Sequence, residues 1–149
     1  MKALVQRVSS ACVVVDGKTV GQIGQGALVF LGVDTTDTEK QVDTLAKRVM
    51  EYRIFADNQG KMNKSLIDIN GEILIVSQFT LSADTRKGRR PSFSTAASPE
   101  QANALYKYFI ASCKKHLTRV ETGIFAADMQ VSLVNDGPVT FLLEAWQLS

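Results

Sequence analysis

The chain has 149 residues, a formal charge of +2 at pH 7, 45% hydrophobic and 21% charged residues, and a single histidine. That length suits one domain spanning 1–149, since a chain near 150 residues buries roughly 68–70% of its unfolded surface, and a mean hydropathy of +0.00 excludes a disordered acidic tail or a collagen-like fibre. Apolar runs fall far short of the about 18 residues of a membrane span, and the residues between Lys2 and Gln6 are too few for a signal-peptide core. Cys12 and Cys113 form neither a CxxC pair nor a disulfide framework, so a reducing cytoplasm and no membrane partner are expected.

The N-terminal third reads as strands. Ala3-Leu4-Val5 and Cys12-Val13-Val14-Val15 are rich in β-branched residues, and Asp16-Gly17 signals a hairpin into Lys18-Thr19-Val20. Gly21, Gly24 and Gly26 read as a turn before the strand Ala27 to Leu31; their spacing matches neither a dinucleotide fingerprint nor a phosphate loop. Thr36-Asp37-Thr38-Glu39 fits a capping box, and Val42, Leu45, Ala46, Val49 and Met50 then predict a helix ending near Tyr52. After a loop at Asp57 to Gly60 and a turn at Asn70-Gly71, Glu72 to Leu81 reads as a strand. Ser98-Pro99-Glu100-Gln101 announces a second helix, with Ala102, Leu105, Phe109, Ile110, Cys113 and Leu117 as its core stripe. Two closing strands, Met129 to Val134 and Val139 to Trp146, flank Asn135-Asp136-Gly137-Pro138. Without regular βαβ alternation, the expected class is α+β, with a largely antiparallel sheet or β-barrel-like core and two main helices.

The lone histidine excludes multi-histidine metal sites, so neither a metal nor another cofactor is expected. His116 follows Lys114 and Lys115 at a helix end, where positive groups complement the helix dipole, and no acid–base partner lies near it in sequence.

Three stretches can carry chemistry. The strand through Ile73 starts apolar on both faces and turns polar at Ser77, Gln78 and Thr80. Those groups either satisfy nearby backbone or floor a pocket. Asp136-Gly137-Pro138 reads as a plain turn, because only about 5–6% of X-Pro bonds are cis. Arg86, Lys87, Arg89 and Arg90, followed by Pro91-Ser92-Phe93, suit phosphate contacts with a stacking aromatic, or form a solvated loop.

Three segments together resemble the D-aminoacyl-tRNA deacylases of the D-Tyr-tRNA(Tyr) deacylase type: Ser77-Gln78-Phe79-Thr80-Leu81, Asn135-Asp136-Gly137-Pro138-Val139-Thr140, and Met1-Lys2-Ala3-Leu4-Val5-Gln6-Arg7-Val8. The resemblance runs end to end. It implies a cytoplasmic homodimer with a barrel-like core and active sites at the subunit interface. The implied reaction is hydrolysis of the ester between a D-amino acid and the terminal adenosine of tRNA, and of glycine mischarged on tRNA(Ala). Ser77, Gln78, Phe79 and Thr80 match the catalytic pocket floor. Gly137 and Pro138 match a cis element that reaches into the partner's site and selects chirality, and Arg7 matches the arginine bracing it. Phe125 and Met129 correspond to adenosine-pocket residues.

The residues leave the mechanism open between two versions. In one, the vicinal hydroxyl of the terminal ribose positions water while backbone N–H groups near Phe79 and Thr80 hold the oxyanion. In the other, Thr80 is a nucleophile, although Gln78 cannot serve it as a base. Residues alone also admit a non-catalytic RNA-binding module, or a small esterase or peptidase using Thr80 or a serine.

Overall fold

The computed structural model of the protein describes residues 1–146. Its spine is a long strand, β1 (Lys2–Val15), which turns through Asp16-Gly17 into β2 (Lys18–Ile23). Both turn residues have positive φ, 50° and 77°, the conformation that lets a two-residue hairpin follow the twist of its strands. β3 (Gly26–Gly32) pairs antiparallel with the first half of β1, from Lys2 opposite Gly32 to Val8 opposite Gly26.

The first main helix, α1 (Glu39–Glu51), buries Val42, Leu45, Ala46, Val49 and Met50 and ends at Tyr52. Its capping box lies two residues later than the sequence pattern predicts: Thr38 is the cap and Gln41 the reciprocal partner, so Thr36 and Glu39 are not that pair. A small hairpin, β4 (Phe55–Ala56) and β5 (Met62–Lys64), and a single-turn helix α2 (Leu66–Ile69) lead into β6 (Glu72–Ser77). β6 lies parallel to β3 and then to β7 (Val120–Thr122), which follows the second main helix, α3 (Pro99–Lys114). Ser98 caps α3 with Pro99 in its first turn. The expected α+β, barrel-like core with two main helices is present, but its sheet is mixed, because β6 joins both neighbours in parallel.

Burial on both faces of β3 and β6 splits the core into two layers. Val29, Leu31, Ile73 and Ile75 face α1 and α3, whereas Leu28, Leu74 and Val76 face the barrel interior with Val8, Ala11, Val13 and Ile23. The sheet curls until β7 approaches β2, where Arg119 Nη2 donates to the Gln22 carbonyl at 3.0 Å.

Three expected strand boundaries move, the first at β2, which runs through Gly21 to Ile23 where the glycines predict a turn. The strand expected over Glu72 to Leu81 ends at Ser77, and Phe79–Ser82 forms a 3₁₀ turn, so the alternation of faces does not extend to Gln78 and Thr80. The two closing strands are one, β8 (Gln130–Glu144), running antiparallel to nearly all of β1. Gln6 faces Thr140 while Val8 faces Asn135, so Asp136 to Val139 form an outward bulge inside a continuous strand. The local turn chemistry is present, but both flanking segments pair with the same partner strand.

Candidate active site

The end of β6 builds the first half of the site. Gln78 N–H donates to the Leu31 carbonyl at 2.8 Å, ending the β3–β6 ladder, and the chain then tightens into the 3₁₀ turn. Leu81 N–H returns to the Gln78 carbonyl at 3.1 Å and Ala83 N–H to the Thr80 carbonyl at 3.2 Å. The turn rests directly on Gly32. A Cβ there would lie 2.9 Å from Leu81 Cβ and 3.0 Å from Ser82 Oγ, so only glycine allows this approach. Ser82, buried at 2% exposure, donates to the Val33 carbonyl at 3.2 Å, and Thr95 Oγ1 donates to the Ser82 carbonyl at 2.9 Å. Lys2 Nζ reaches the Leu81 carbonyl at 3.4 Å. Gly32, Ser82 and Thr95 were not apparent from sequence, because the carbonyls and turn they hold are distant along the chain.

Phe79 and Thr80 occupy the first positions of the turn, where backbone N–H groups have no partner within a helix. Gln78 Nε2 donates to Thr80 Oγ1 at 3.0 Å, so the hydroxyl sits beside an amide rather than a base. Ser77 to Thr80 line a cleft of about 510 Å³ together with Phe93, Phe125, Asp128 and Met129. The structure therefore gathers the four floor residues with Phe125 and Met129. Phe125 packs against Tyr106, with ring centroids 6.0 Å apart. Burial pushes the Tyr106 phenol up to about 12, and its hydroxyl donates to the Ile75 carbonyl at 3.0 Å. The Met129 thioether lies over Gly123, where a Cβ would come within 2.6 Å of the sulfur.

Gly137 and Pro138 lie elsewhere, on the outward bulge of β8. Their peptide bond is cis, and residues 135–138 are all exposed. Arg7 holds the bulge: its Nε donates to the Asp136 carbonyl at 2.9 Å, and its Nη1 donates to the Ile54 carbonyl at 2.7 Å. The Asp136 carboxylate adds an ion pair at 3.3 Å. Asn135 Nδ2 donates to the carbonyls of Arg7 at 2.9 Å and Val139 at 3.1 Å, closing the base of the bulge. Neither Gly137 nor Pro138 lines the cleft of the same chain.

The basic loop is partly self-neutralised. Arg86 forks onto Asp84 at 2.9 and 2.8 Å, while Lys87, Arg89 and Arg90 are exposed. His116 lines a separate groove between α1 and α3 with Asp43, Lys47 and Glu51, away from the cleft. Among the described residues there is no cluster of three or more His, Cys, Asp or Glu placed to hold a metal, and no helix is long and apolar enough to cross a membrane.

The sequence profile of D-Tyr-tRNA(Tyr) deacylase matches residues 4–144. A D-aminoacyl-tRNA deacylase of Yersinia enterocolitica is 58% identical over 144 residues, 97% of this chain and 99% of that protein. One from Yersinia pestis is 57% identical with the same coverage. Among solved structures, the c-Myc DNA Unwinding Element Binding Protein superposes with a TM-score of 0.94 at 41% identity, covering 99% of this chain and 100% of that one. A probable eukaryotic D-amino acid tRNA deacylase shares the fold, with a TM-score of 0.81 at 19% identity over 96% of this chain and 98% of that one.

The Asp84–Arg86 fork gives the loop a defined response to acid. The Arg86 side chain, and then its backbone N–H, hold the Asp84 carboxyl down at about 2 from 3.8. A depressed carboxyl stabilises the folded loop above its ordinary range, and that contribution disappears as pH falls through about 2. A carboxyl-carbon NMR titration should place the Asp84 midpoint near 2 in the wild type, and Arg86→Gln should return it towards 3.8.

Proposed function

This chain belongs to the D-Tyr-tRNA(Tyr) deacylase family, a family of hydrolases, and we propose on that premise that it releases D-amino acids from D-aminoacyl-tRNA by a backbone-built chiral filter. The observation that carries the reading is the exposed Gly137-Pro138 segment, fixed by Arg7 and Asn135 but absent from its own chain's cleft. A segment braced this firmly and pointed at solvent suits insertion into the cleft of a second copy. The protein is then a homodimer whose active sites lie at the subunit interface, each cleft completed by the partner.

Chirality is read at one α-carbon, which calls for groups that do not move. Backbone carbonyls at a glycine meet that need, since nothing but hydrogen covers the approach. An L side chain is aimed at this wall and excluded, while a D side chain points outward. Discrimination by exclusion is indifferent to which D residue arrives. It also fails to reject glycine, which has no side chain to clash, so glycine mischarged on tRNA(Ala) is a substrate of the same site.

Catalysis on this floor needs no histidine. The terminal adenosine lies against Phe125 and Met129, which places its ester over Ser77 to Thr80. The N–H groups of Phe79 and Thr80 receive the oxyanion, each such donor being worth about 2.7–4 kcal/mol. The ribose 2′-hydroxyl beside the scissile ester is both donor and acceptor, and it positions the attacking water. A nucleophilic Thr80 is disfavoured, because its oxygen accepts from Gln78 and a hydroxyl nucleophile requires an adjacent base. Lys87, Arg89 and Arg90 meet tRNA phosphates, with Arg86 joining them only by leaving Asp84. The compartment this implies is the cytoplasm, where charged tRNA is found.

Incubation with D- and L-tyrosyl-tRNA in parallel tests the reading, with selective release of D-tyrosine expected. Equal release of both, or release of neither, contradicts it. The mechanism has a separate test. Thr80→Ala should keep measurable turnover, and a tRNA ending in 2′-deoxyadenosine should be cleaved at least about a hundredfold more slowly, the lower range for a positioned proton-transfer group. Full activity on the deoxy substrate removes the ribose hydroxyl from the mechanism, and complete loss in Thr80→Ala supports the threonine instead.

A further inference from the structure

Phe79 and Phe93 are exposed at 60% and 41%, and their ring centroids lie 5.2 Å apart with planes tilted by 50°. Isolated apolar residues on a surface are ordinary, but two large rings in mutual contact at the mouth of a cleft form a patch with a use. The patch links two regions already described. Phe79 belongs to the 3₁₀ turn at the cleft floor, and Phe93 ends the loop that carries Lys87, Arg89 and Arg90.

The backbone that carries Phe93 is held on both sides, and its ring packs against Phe79. Asp84 and Ser92 exchange two backbone hydrogen bonds, at 2.7 and 3.0 Å, which clamp the base of the basic loop immediately before Phe93. Ala96 N–H then donates to the Phe93 carbonyl at 3.1 Å, and Thr35 N–H to the Thr95 carbonyl at 3.0 Å, tying down the other side. A ring on anchored backbone, packed against a second ring and open to solvent, loses less loop entropy on contact with a flat partner than one on a free loop.

The geometry points to a stacking subsite: we propose that the Phe79–Phe93 pair receives the nucleobase immediately preceding the terminal adenosine of the tRNA. This rests on the deacylase reading and extends it by one nucleotide. The 3′ end of a tRNA is single-stranded and ends in cytidine-cytidine-adenosine, so its penultimate base has a free π-face. Single-stranded nucleic acid is held by aromatic stacking combined with a cationic track along the backbone. Both are present here: the rings at the mouth of the cleft, and three exposed cationic residues on the same loop beside them. With the adenosine placed against Phe125 and Met129 in that same cleft, the strand leaves past Phe79 and Phe93 towards the loop.

The test compares three substrates: D-tyrosyl-adenosine, D-tyrosyl-cytidylyl-adenosine and full-length D-tyrosyl-tRNA. The wild-type protein should cleave the dinucleotide ester with a higher kcat/KM than the mononucleoside ester. Phe93→Ala should raise KM for the dinucleotide and tRNA esters by about five- to a hundredfold, corresponding to about 1–3 kcal/mol of stacking. The effect on D-tyrosyl-adenosine, which lacks the preceding base, should be several-fold smaller than on the dinucleotide ester. Phe93→Trp should restore the wild-type KM, which a loss of loop structure would not allow. Equal wild-type efficiency on the two small esters overturns the subsite, as does a Phe93→Ala effect of the same size on D-tyrosyl-adenosine. Failure of the wild-type protein to cleave any of the three overturns the deacylase reading and the subsite with it.

Discussion

Both edges of β1 are occupied over most of its length: β8 follows one edge, while β3 and then β2 follow the other. A strand with both edges paired cannot slide without breaking three ladders, and a shift of one residue would turn every buried side chain outward. The inward residues of β1 change phase along the strand. Ala3 and Val5 face the helix-covered layer, whereas Val8, Ala11 and Val13 face the barrel interior. The register against β8 slips on either side of Val8, as it must if the strand is to pass from one layer to the other. Arg7 sits at this phase change. With its backbone held in the β3 ladder, its guanidinium reaches the Asp136 and Ile54 carbonyls, and the outward bulge of β8 takes its shape from that bridge.

The floor of the candidate site is arranged by the same means, backbone held against backbone. Gln78 is fixed by Leu31, the 3₁₀ turn is seated on Gly32, and the flanking carbonyls are taken by Ser82, Thr95 and Lys2. Few titratable groups enter the site. The single histidine lies in another groove, and the charged side chain lining the cleft is Asp128. Composition alone makes one histidine an obstacle to enzymatic chemistry, but the geometry turns it into a limit on mechanism. In the proposed mechanism, fixed N–H groups and a hydroxyl carried by the substrate take the place of the side-chain bases of other hydrolases. The modest net charge is likewise resolved into one loop, in which Arg86 is already paired and three cations remain exposed.

Features set by near neighbours in sequence were legible, and those set by distant ones were not. Ser98-Pro99 marks the start of α3, the Asp16-Gly17 turn fixes the first hairpin, and Val42 to Met50 give the buried face of α1, since each depends on residues a few positions apart. The end of β6 was hidden, because Ser77 to Leu81 continue an alternating pattern while the ladder is closed by Leu31 and Gly32 from another strand. The continuity of β8 was hidden for a similar reason: Asn135 to Pro138 have the residues of a turn, and long-range pairing with β1 overrides them. Arg7 contacts carbonyls 47 and 129 positions away, a link that no local pattern encodes. The motif resemblance groups Arg7 with Gly137 and Pro138; in the structure Arg7 reaches the carbonyl of the adjacent Asp136 rather than either of those residues.

The central claim is that rigidity of the Gly137-Pro138 segment, imposed by Arg7, sets chiral selectivity. The direct measurement is the ratio of D- to L-tyrosyl-tRNA hydrolysis by an Arg7→Ala variant, with its thermal stability followed alongside. Loosening the bulge should let the L side chain past the wall, so the ratio should fall by at least about tenfold, equivalent to about 1.4 kcal/mol of lost discrimination, with L-tyrosine release rising in absolute terms. A parallel decline on both substrates with the ratio preserved would contradict the account and leave Arg7 as a residue that only supports the fold.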